Sequence, residues 1–442
     1  MTTDNLAAHL NPLYWPLTHG PIPKAVLLAG WTALILLALR RDRAWWRFGL
    51  PAALFTAAAV SLLLGLVVDG WLRPFPEGTP RNVTWWVATA LLGLCLAGYR
   101  LRRSTWPRRA FSLGLGAVVV LMASSQVNIS FDMYPNGRVM LAPWLDKPVV
   151  LVTTKADETV SAPPEKSLEE VWTPPPGLPA KGTVSQATIP GTKSGFRARN
   201  AYVYLPPAYQ ASPRPLLPVL VMITGQPGSP DEWVHQGQID ELMDAFAAKH
   251  GGLAPIVVMP DQLGAHWSNT LCMDSKIAKV QTYLAVDVPR WVEQNLQAAT
   301  DRRSWAIGGA SMGGTCALQM GVNAPDVYGT VLDISGQEEP TLGSRAATVK
   351  AAFGGDEAKF DAVDPVQVMA RRKFPDTSVA VVVGDGDGLF RPGQEKVFKA
   401  VQGADMKATF VLVQNGGHAW SVFRTAVTGQ LPWLGRQTGL IR

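Results

Sequence analysis

The residues with the clearest chemical capacity lie in the second half of the 442-residue chain. Gly309-Ala310-Ser311-Met312-Gly313-Gly314 sets a serine among small residues. That is the spacing of a nucleophile elbow. A serine on a sharp strand-to-helix turn sits in strained backbone, so the positions two residues before and after it must be small. The turn lifts the hydroxyl above the sheet edge and aims the next helix's N-terminus at a developing oxyanion. The hydroxyl becomes a nucleophile only when a base takes its proton. His418, in Asn415-Gly416-Gly417-His418-Ala419-Trp420, combines the right chain order, a preceding apolar run and flanking glycines. The other five histidines have no such setting.

An acid that orients the imidazole should follow the preceding strand, where Gly384-Asp385-Gly386-Asp387-Gly388 supplies two aspartates. Asp387 is preferred, because the acid of this arrangement often stands three residues beyond a strand-ending glycine. Asp385 remains the alternative, or else a turn aspartate bonding its own backbone. The alternation of Asp and Gly lacks the closing Glu of an EF-hand loop, so no metal is expected. An oxyanion hole needs two backbone N–H groups. Met312, directly after the serine, offers one, and Gln226 in the corner Thr224-Gly225-Gln226-Pro227-Gly228 offers the other.

The elements that would hold these residues are short apolar runs alternating with helical patterns. Strands are expected at 202–205, 218–223, 256–259, 305–308, 331–334, 379–383 and 409–413, and helices at 239–249, 283–296, 312–322 and 394–401. Nearly continuous apolar strands separated by helices predict a mostly parallel sheet covered on both faces, the α/β class, across residues 182–442.

The first third differs. Four stretches, about 25–39, 48–68, 83–99 and 110–127, contain no Asp, Glu, Lys or Arg and are suited to crossing a bilayer. Residues 1–127 are therefore expected to form an all-α four-helix transmembrane anchor. A cleaved signal peptide is the alternative for the first stretch, but no small-residue cleavage site follows it and three more apolar stretches do. The first connecting loop carries Arg40, Arg41, Arg43 and Arg47 against Asp42. The third carries Arg100, Arg102, Arg103, Arg108 and Arg109. In the second, Arg73 and Arg81 are balanced by Asp69 and Glu77. Positive loops stay inside, which predicts an extracytoplasmic N-terminus and an extracytoplasmic second half. The net charge of +6 thus sits in two membrane loops, so nucleic acid is not an expected partner. Trp31, Trp45, Trp46, Trp71, Trp85, Trp86 and Trp106 mostly fall near segment ends, as interfacial belt residues do. Residues 128–181, with an extended run at 149–153 and then Pro163, Pro164, Pro174, Pro175, Pro176 and Pro179, predict a Pro-rich extracytoplasmic spacer.

From about Gly182 to Arg442 the chain resembles the putative-esterase branch of the α/β-hydrolases, which holds esterase D-like enzymes and mycolyltransferases. The resemblance is carried by Ala201-Tyr202-Val203-Tyr204-Leu205-Pro206-Pro207-Ala208-Tyr209, the elbow at 309–314, Ser335-Gly336 and Gly416-Gly417-His418. Thr224 departs from it, standing where many of these esterases have a histidine. The resemblance implies ester hydrolysis or acyl transfer through an acyl-serine, with no cofactor. Cys272 and Cys316 are the two cysteines outside the apolar stretches. They are either a disulfide tying the 267–274 loop to the helix after Ser311 or two small buried thiols, and similar envelope esterases share the bond.

The expected function is that of a membrane-anchored serine esterase or acyltransferase. Its expected partner is a lipid or glycolipid ester of the envelope, presented by the bilayer that holds the anchor. Mycolyltransferase-like transfer to a sugar or lipid hydroxyl is the alternative within the chemistry, and a non-catalytic envelope scaffold is the alternative outside it.

Overall fold

The computed structural model describes residues 11–72, 75–101, 104–147 and 149–442. Arg73, Arg102 and Arg103 of the connecting loops lie outside them. The chain divides into two compact units, Met1–Asp146 and Lys147–Arg442.

In the first unit four helices are long and apolar enough to cross a membrane: Pro21–Ala38, Trp45–Trp71, Arg81–Leu101 and Trp106–Phe131. Their surfaces are inverted relative to a water-soluble bundle. Ala33, Ala53, Ala57, Ala97 and Ala123 are buried, while Leu28, Phe55, Leu62 and Phe111 face outward. Small residues bring the helices together, as they do where lipid replaces water as solvent. A Cβ on Gly93 would press on Val119, and one on Gly30 would run into Met122. Of the tryptophans expected near segment ends, Trp46, Trp71, Trp85 and Trp106 are exposed, but Trp45 is not. It is buried, and its indole N–H donates to the Ala38 carbonyl at 2.7 Å, closing the end of the first helix.

The second unit is built on an eight-stranded sheet. Its strands are β1 (Thr183–Ala187), β2 (Ala201–Leu205), β3 (Val219–Ile223), β4 (Ile256–Met259), β5 (Trp305–Ala310), β6 (Thr330–Ile334), β7 (Ser378–Gly384) and β8 (Lys407–Val413). The spatial order is β1-β2-β4-β3-β5-β6-β7-β8. β1 and β2 pair antiparallel, β2 meets β4 antiparallel, and all later pairings are parallel. Every residue of β3 to β7 is buried, which is why these strands read as nearly continuous apolar runs. β1 is an edge strand with alternating burial and little apolar content. Its sequence gave no strand signal.

The segment expected to be a spacer is not one. The fourth long helix continues to Phe131, and Gly137–Leu145 forms a further helix. From residue 149 the chain is laid onto the hydrolase unit. Gln186 N–H donates to the Val149 carbonyl at 2.7 Å, and Thr159–Val160 pairs with Arg214–Pro215. In the short helix Leu168–Val171 the N–H groups of Leu168 and Glu169 donate to the carbonyls of Gly439 and Leu440. Leu168 and Trp172 are buried, and the Trp172 indole donates to Gly251 O at 2.9 Å. The prolines suggested an unpacked polyproline stretch. They instead separate short pieces, each with a docking site on the globular unit.

Candidate active site

β5 ends in the elbow. Ser311 has φ 57°, a left-handed conformation that a residue other than glycine adopts only where its surroundings enforce it, and the helix Met312–Asn323 starts at the next residue. Its N–H donates to the Ile334 carbonyl of β6 at 2.9 Å. The glycines around it are obligatory. A Cβ on Gly309 would collide with Gly313, and one on Gly313 with the carbonyl oxygen of Ile223. A Cβ on Gly314 would run into Asp333 Oδ1. The tight fit seats the helix N-terminus against β3 and β6, with Gly314 N–H donating to Ser311 O at 2.9 Å and the N–H groups of Met312 and Gly313 preceding the first intrahelical bond.

β7 and β8 deliver the other two side chains. His418 Nδ1 lies 2.9 Å from Asp387 Oδ2, with the carboxylate almost fully buried at 2% exposure and the imidazole at 25%. Asp387 Oδ1 accepts from the Phe390 N–H at 3.2 Å, which fixes the carboxylate from below. The imidazole lies flat on the Phe390 ring, centroids 4.0 Å apart, and meets the edge of Phe423 at 5.3 Å. Hydrogen bond and stacking together leave the ring one orientation, with Nδ1–H toward Asp387 and Nε2 available for a proton. Asp385 does something different. Its Oδ1 accepts from the Gly416 N–H at 3.1 Å, and its own N–H donates to Val413 O, so it holds the loop that carries His418. Because β5 to β8 are parallel neighbours, Ser311, Asp387 and His418 emerge at one carboxyl edge of the sheet.

The loop after β3 passes beside the elbow. A Cβ on Gly225 would stand 3.4 Å from Ser311 Cβ and 3.9 Å from its Oγ. Gln226 follows with a cis bond to Pro227, and its side-chain amide donates to Trp267 O at 3.4 Å. Thr224, the departure from the esterase pattern, is buried and accepts from Gln262 Nε2 through both its carbonyl (2.7 Å) and its hydroxyl (3.2 Å). This anchors the corner by side-chain contact. Cys272 and Cys316 are joined as a disulfide, with Cα atoms 5.4 Å apart, so the loop around Leu271 is covalently tied to the nucleophile helix.

Several buried carboxyls carry no motif in the sequence, and two of them lie beside the elbow and the loop after β3. Asp333, inside β6, is fully buried and pushed up to about 6 by desolvation, against hydrogen bonds from Gln394 Nε2 (3.0 Å) and Gly336 N (3.1 Å). A lone acid in an otherwise apolar strand was the available signal. Glu232, shortly after the loop that follows β3, is pushed up to about 8 by burial and by the neighbouring Asp231. Among the described residues no cluster of His, Cys, Asp and Glu is arranged to hold a metal ion.

A Corynebacterium glutamicum protein described as uncharacterized is 34% identical over 416 residues, covering 92% of this chain and 94% of its own, so the likeness spans both units. Among solved structures, a ferulic acid esterase superposes with a TM-score of 0.51 at 20% identity, covering 58% of this chain and 99% of its own. An S-formylglutathione hydrolase from Agrobacterium tumefaciens gives 0.49 at 17% identity, covering 59% and 97%. The family model described as Putative esterase matches residues 194–434, more than half of the chain. With the sheet order and the elbow, this establishes that the chain belongs to the putative-esterase family and is a serine hydrolase with the α/β-hydrolase fold.

Proposed function

We propose that the protein is a membrane-anchored, extracytoplasmic serine esterase or acyltransferase, acting on acyl esters of the cell envelope through an acyl-serine intermediate. The observation that carries the chemistry is the buried Asp387 bound to His418 at the sheet edge where Ser311 is held at φ 57°. His418 Nε2 takes the Ser311 proton as Oγ attacks the acyl carbonyl, and Asp387 stabilises the imidazolium that forms. The tetrahedral oxyanion is received by the N–H groups of Met312 and Gln226. His418 then returns the proton to the departing alkoxide, leaving the acyl group on Ser311. In the second half the same base activates water or an acceptor hydroxyl, and the acyl group leaves the serine.

The choice of an envelope ester rests on the four apolar helices, which would hold the enzyme beside lipid-borne substrates at high effective concentration. The arginine-rich first and third loops support an external hydrolase unit. The test is labelling of intact cells with a membrane-impermeant fluorophosphonate, followed by mapping of the adduct and lipid analysis of a deletion strain. The expected result is an adduct on Ser311 and an ester-bearing lipid that accumulates or disappears. Labelling only after lysis would place the unit inside, and an adduct elsewhere would remove Ser311 as nucleophile.

A further inference from the structure

At one end of the helical bundle, side chains from two loops that are distant in sequence surround a single cavity of about 570 Å³. Arg40 and Arg41 reach it from the first loop, and Arg100 and Arg108 from the third. Leu39 and Phe111, both exposed, line it too, with Ser104 and Ser112. A topology signal requires arginines in these loops but sets no requirement on where they point. Here four of them converge, and two of the four are fixed by packing. The Arg40 and Arg100 guanidinium carbons each lie 5.9 Å from the Trp45 ring centroid, and Arg100 also donates to the carbonyls of Leu36 and Leu39 at the end of the first helix.

Four guanidinium groups around one cavity repel each other, and among the described residues no carboxylate forms an ion pair with any of them. An anion in the cavity removes that repulsion. Guanidinium groups favour phosphate oxygens, because their planar fork donates two parallel hydrogen bonds. The volume lies in the range of small-molecule sites. The exposed Leu39 and Phe111 point to an anion that carries hydrocarbon.

We infer that this cavity binds the phosphate of an anionic phospholipid headgroup, with its acyl chains leaving past Leu39 and Phe111. Basic pockets between membrane helices at the interface recognise such headgroups. The inference is independent of the acyl chemistry proposed above and rests only on these helices lying in a bilayer. The anchor would then be selective for its lipid surroundings and not merely apolar.

The test uses the full-length protein in nanodiscs of phosphatidylcholine alone and of an equal mixture with phosphatidylglycerol, with retained lipid counted by native mass spectrometry. Phosphatidylglycerol should be retained in preference. Arg41→Gln with Arg108→Gln, both exposed and so tolerable to the fold, should weaken that retention by about tenfold or more, since each arginine near an anionic headgroup contributes a factor of several. Arg43→Gln with Arg47→Gln removes the same charge without touching the cavity and should leave retention unchanged. Equal weakening by both pairs would mean diffuse attraction and overturn the site, as would no effect of the first pair. Displacement of the lipid by millimolar inorganic phosphate would overturn the lipid assignment in favour of a free-phosphate site. If the first pair melts early, Arg41→Lys with Arg108→Lys keeps the charge but loses the fork, and must still lower retention for the inference to stand.

Discussion

Asp387 and His418 meet at 2.9 Å across the gap between β7 and β8, and the ring so held is pressed flat against Phe390. One contact fixes which imidazole nitrogen carries the proton and the other fixes the plane of the ring. Asp385, two residues earlier, spends its carboxylate on the Gly416 N–H. Neighbouring aspartates in one loop therefore have separable effects.

Asp387→Asn should lower kcat on a short soluble ester by roughly 10³-fold or more, because the amide favours the wrong tautomer. Asp385→Asn should cost far less turnover and show instead as a lower melting temperature, through a loosened His418 loop. Steady-state kinetics and thermal unfolding of both variants decide it; the opposite ranking would give Asp385 the orienting role.

Ser311→Ala and His418→Ala should each remove nearly all turnover, by about 10⁴-fold or more, and the double variant should be little worse, since such residues act as a unit. Circular dichroism should be unchanged. Substantial residual activity in Ser311→Ala would point to another nucleophile.

Gly225→Ala would place a methyl group 3.4 Å from Ser311 Cβ, an ordinary contact that the fold accommodates. It also narrows the space beside the nucleophile, so kcat/KM should fall by about tenfold, or about 1.4 kcal/mol of transition-state stabilisation, with little change in melting temperature. Unaltered kinetics would show that substrate does not pass this side of the serine.

Glu232 has a folded-state pKa raised from 4.5 to about 8. A raised carboxyl binds its proton more tightly in the native state, so native stability falls as pH climbs from about 4.5 to about 8 and levels off above. Glu232→Gln should abolish this part of the decline and be the more stable protein at pH 9, by on the order of a few kcal/mol. Denaturant unfolding of both forms at pH 5 and pH 9 measures it. Parallel pH profiles would contradict the buried, protonated state.

The disulfide closes a loop with a sequence separation of 44. Cys272→Ser with Cys316→Ser should destabilise the hydrolase unit by about 4 kcal/mol through the added freedom of the unfolded chain. Alkylation of the native protein before and after reduction, with melting temperatures for each, provides the measurement. Two cysteines alkylated without reductant would rule the bond out.

Much of the architecture was legible because β3 to β7 are buried on both faces and so are apolar nearly throughout, with Asp333 in β6 the one charged residue, and because the elbow's glycines are dictated by close contacts that a Cβ would not survive. What stayed hidden depended on tertiary partners. The polar edge strand β1 gains its place from β2, and Trp45 looked interfacial until its indole found the Ala38 carbonyl. Asp333 stands out in the sequence as a lone acid in an apolar strand, but its role does not, because that lies in Gln394 and Gly336, one distant in the chain and the other in a turn. The helix Trp420–Gln437 also went unread. It carries buried residues along its whole length, but it opens on the loop that had been read only for His418.

The docking of residues 149–172 on the hydrolase unit changes where the enzyme can be cut from the four apolar helices. Composition alone would put the cut near Gly182, just before β1. Such a cut would strip the Val149 to Gln186 pairing from β1, uncover the sites of Leu168 and Trp172, and leave the Gly439 and Leu440 carbonyls to water. Burial of those two side chains alone contributes roughly 3–6 kcal/mol, much of the net stability of an ordinary domain. A soluble enzyme should therefore begin near Lys147. Inactivity of a shorter one would report a damaged scaffold, not a catalytic need for the membrane.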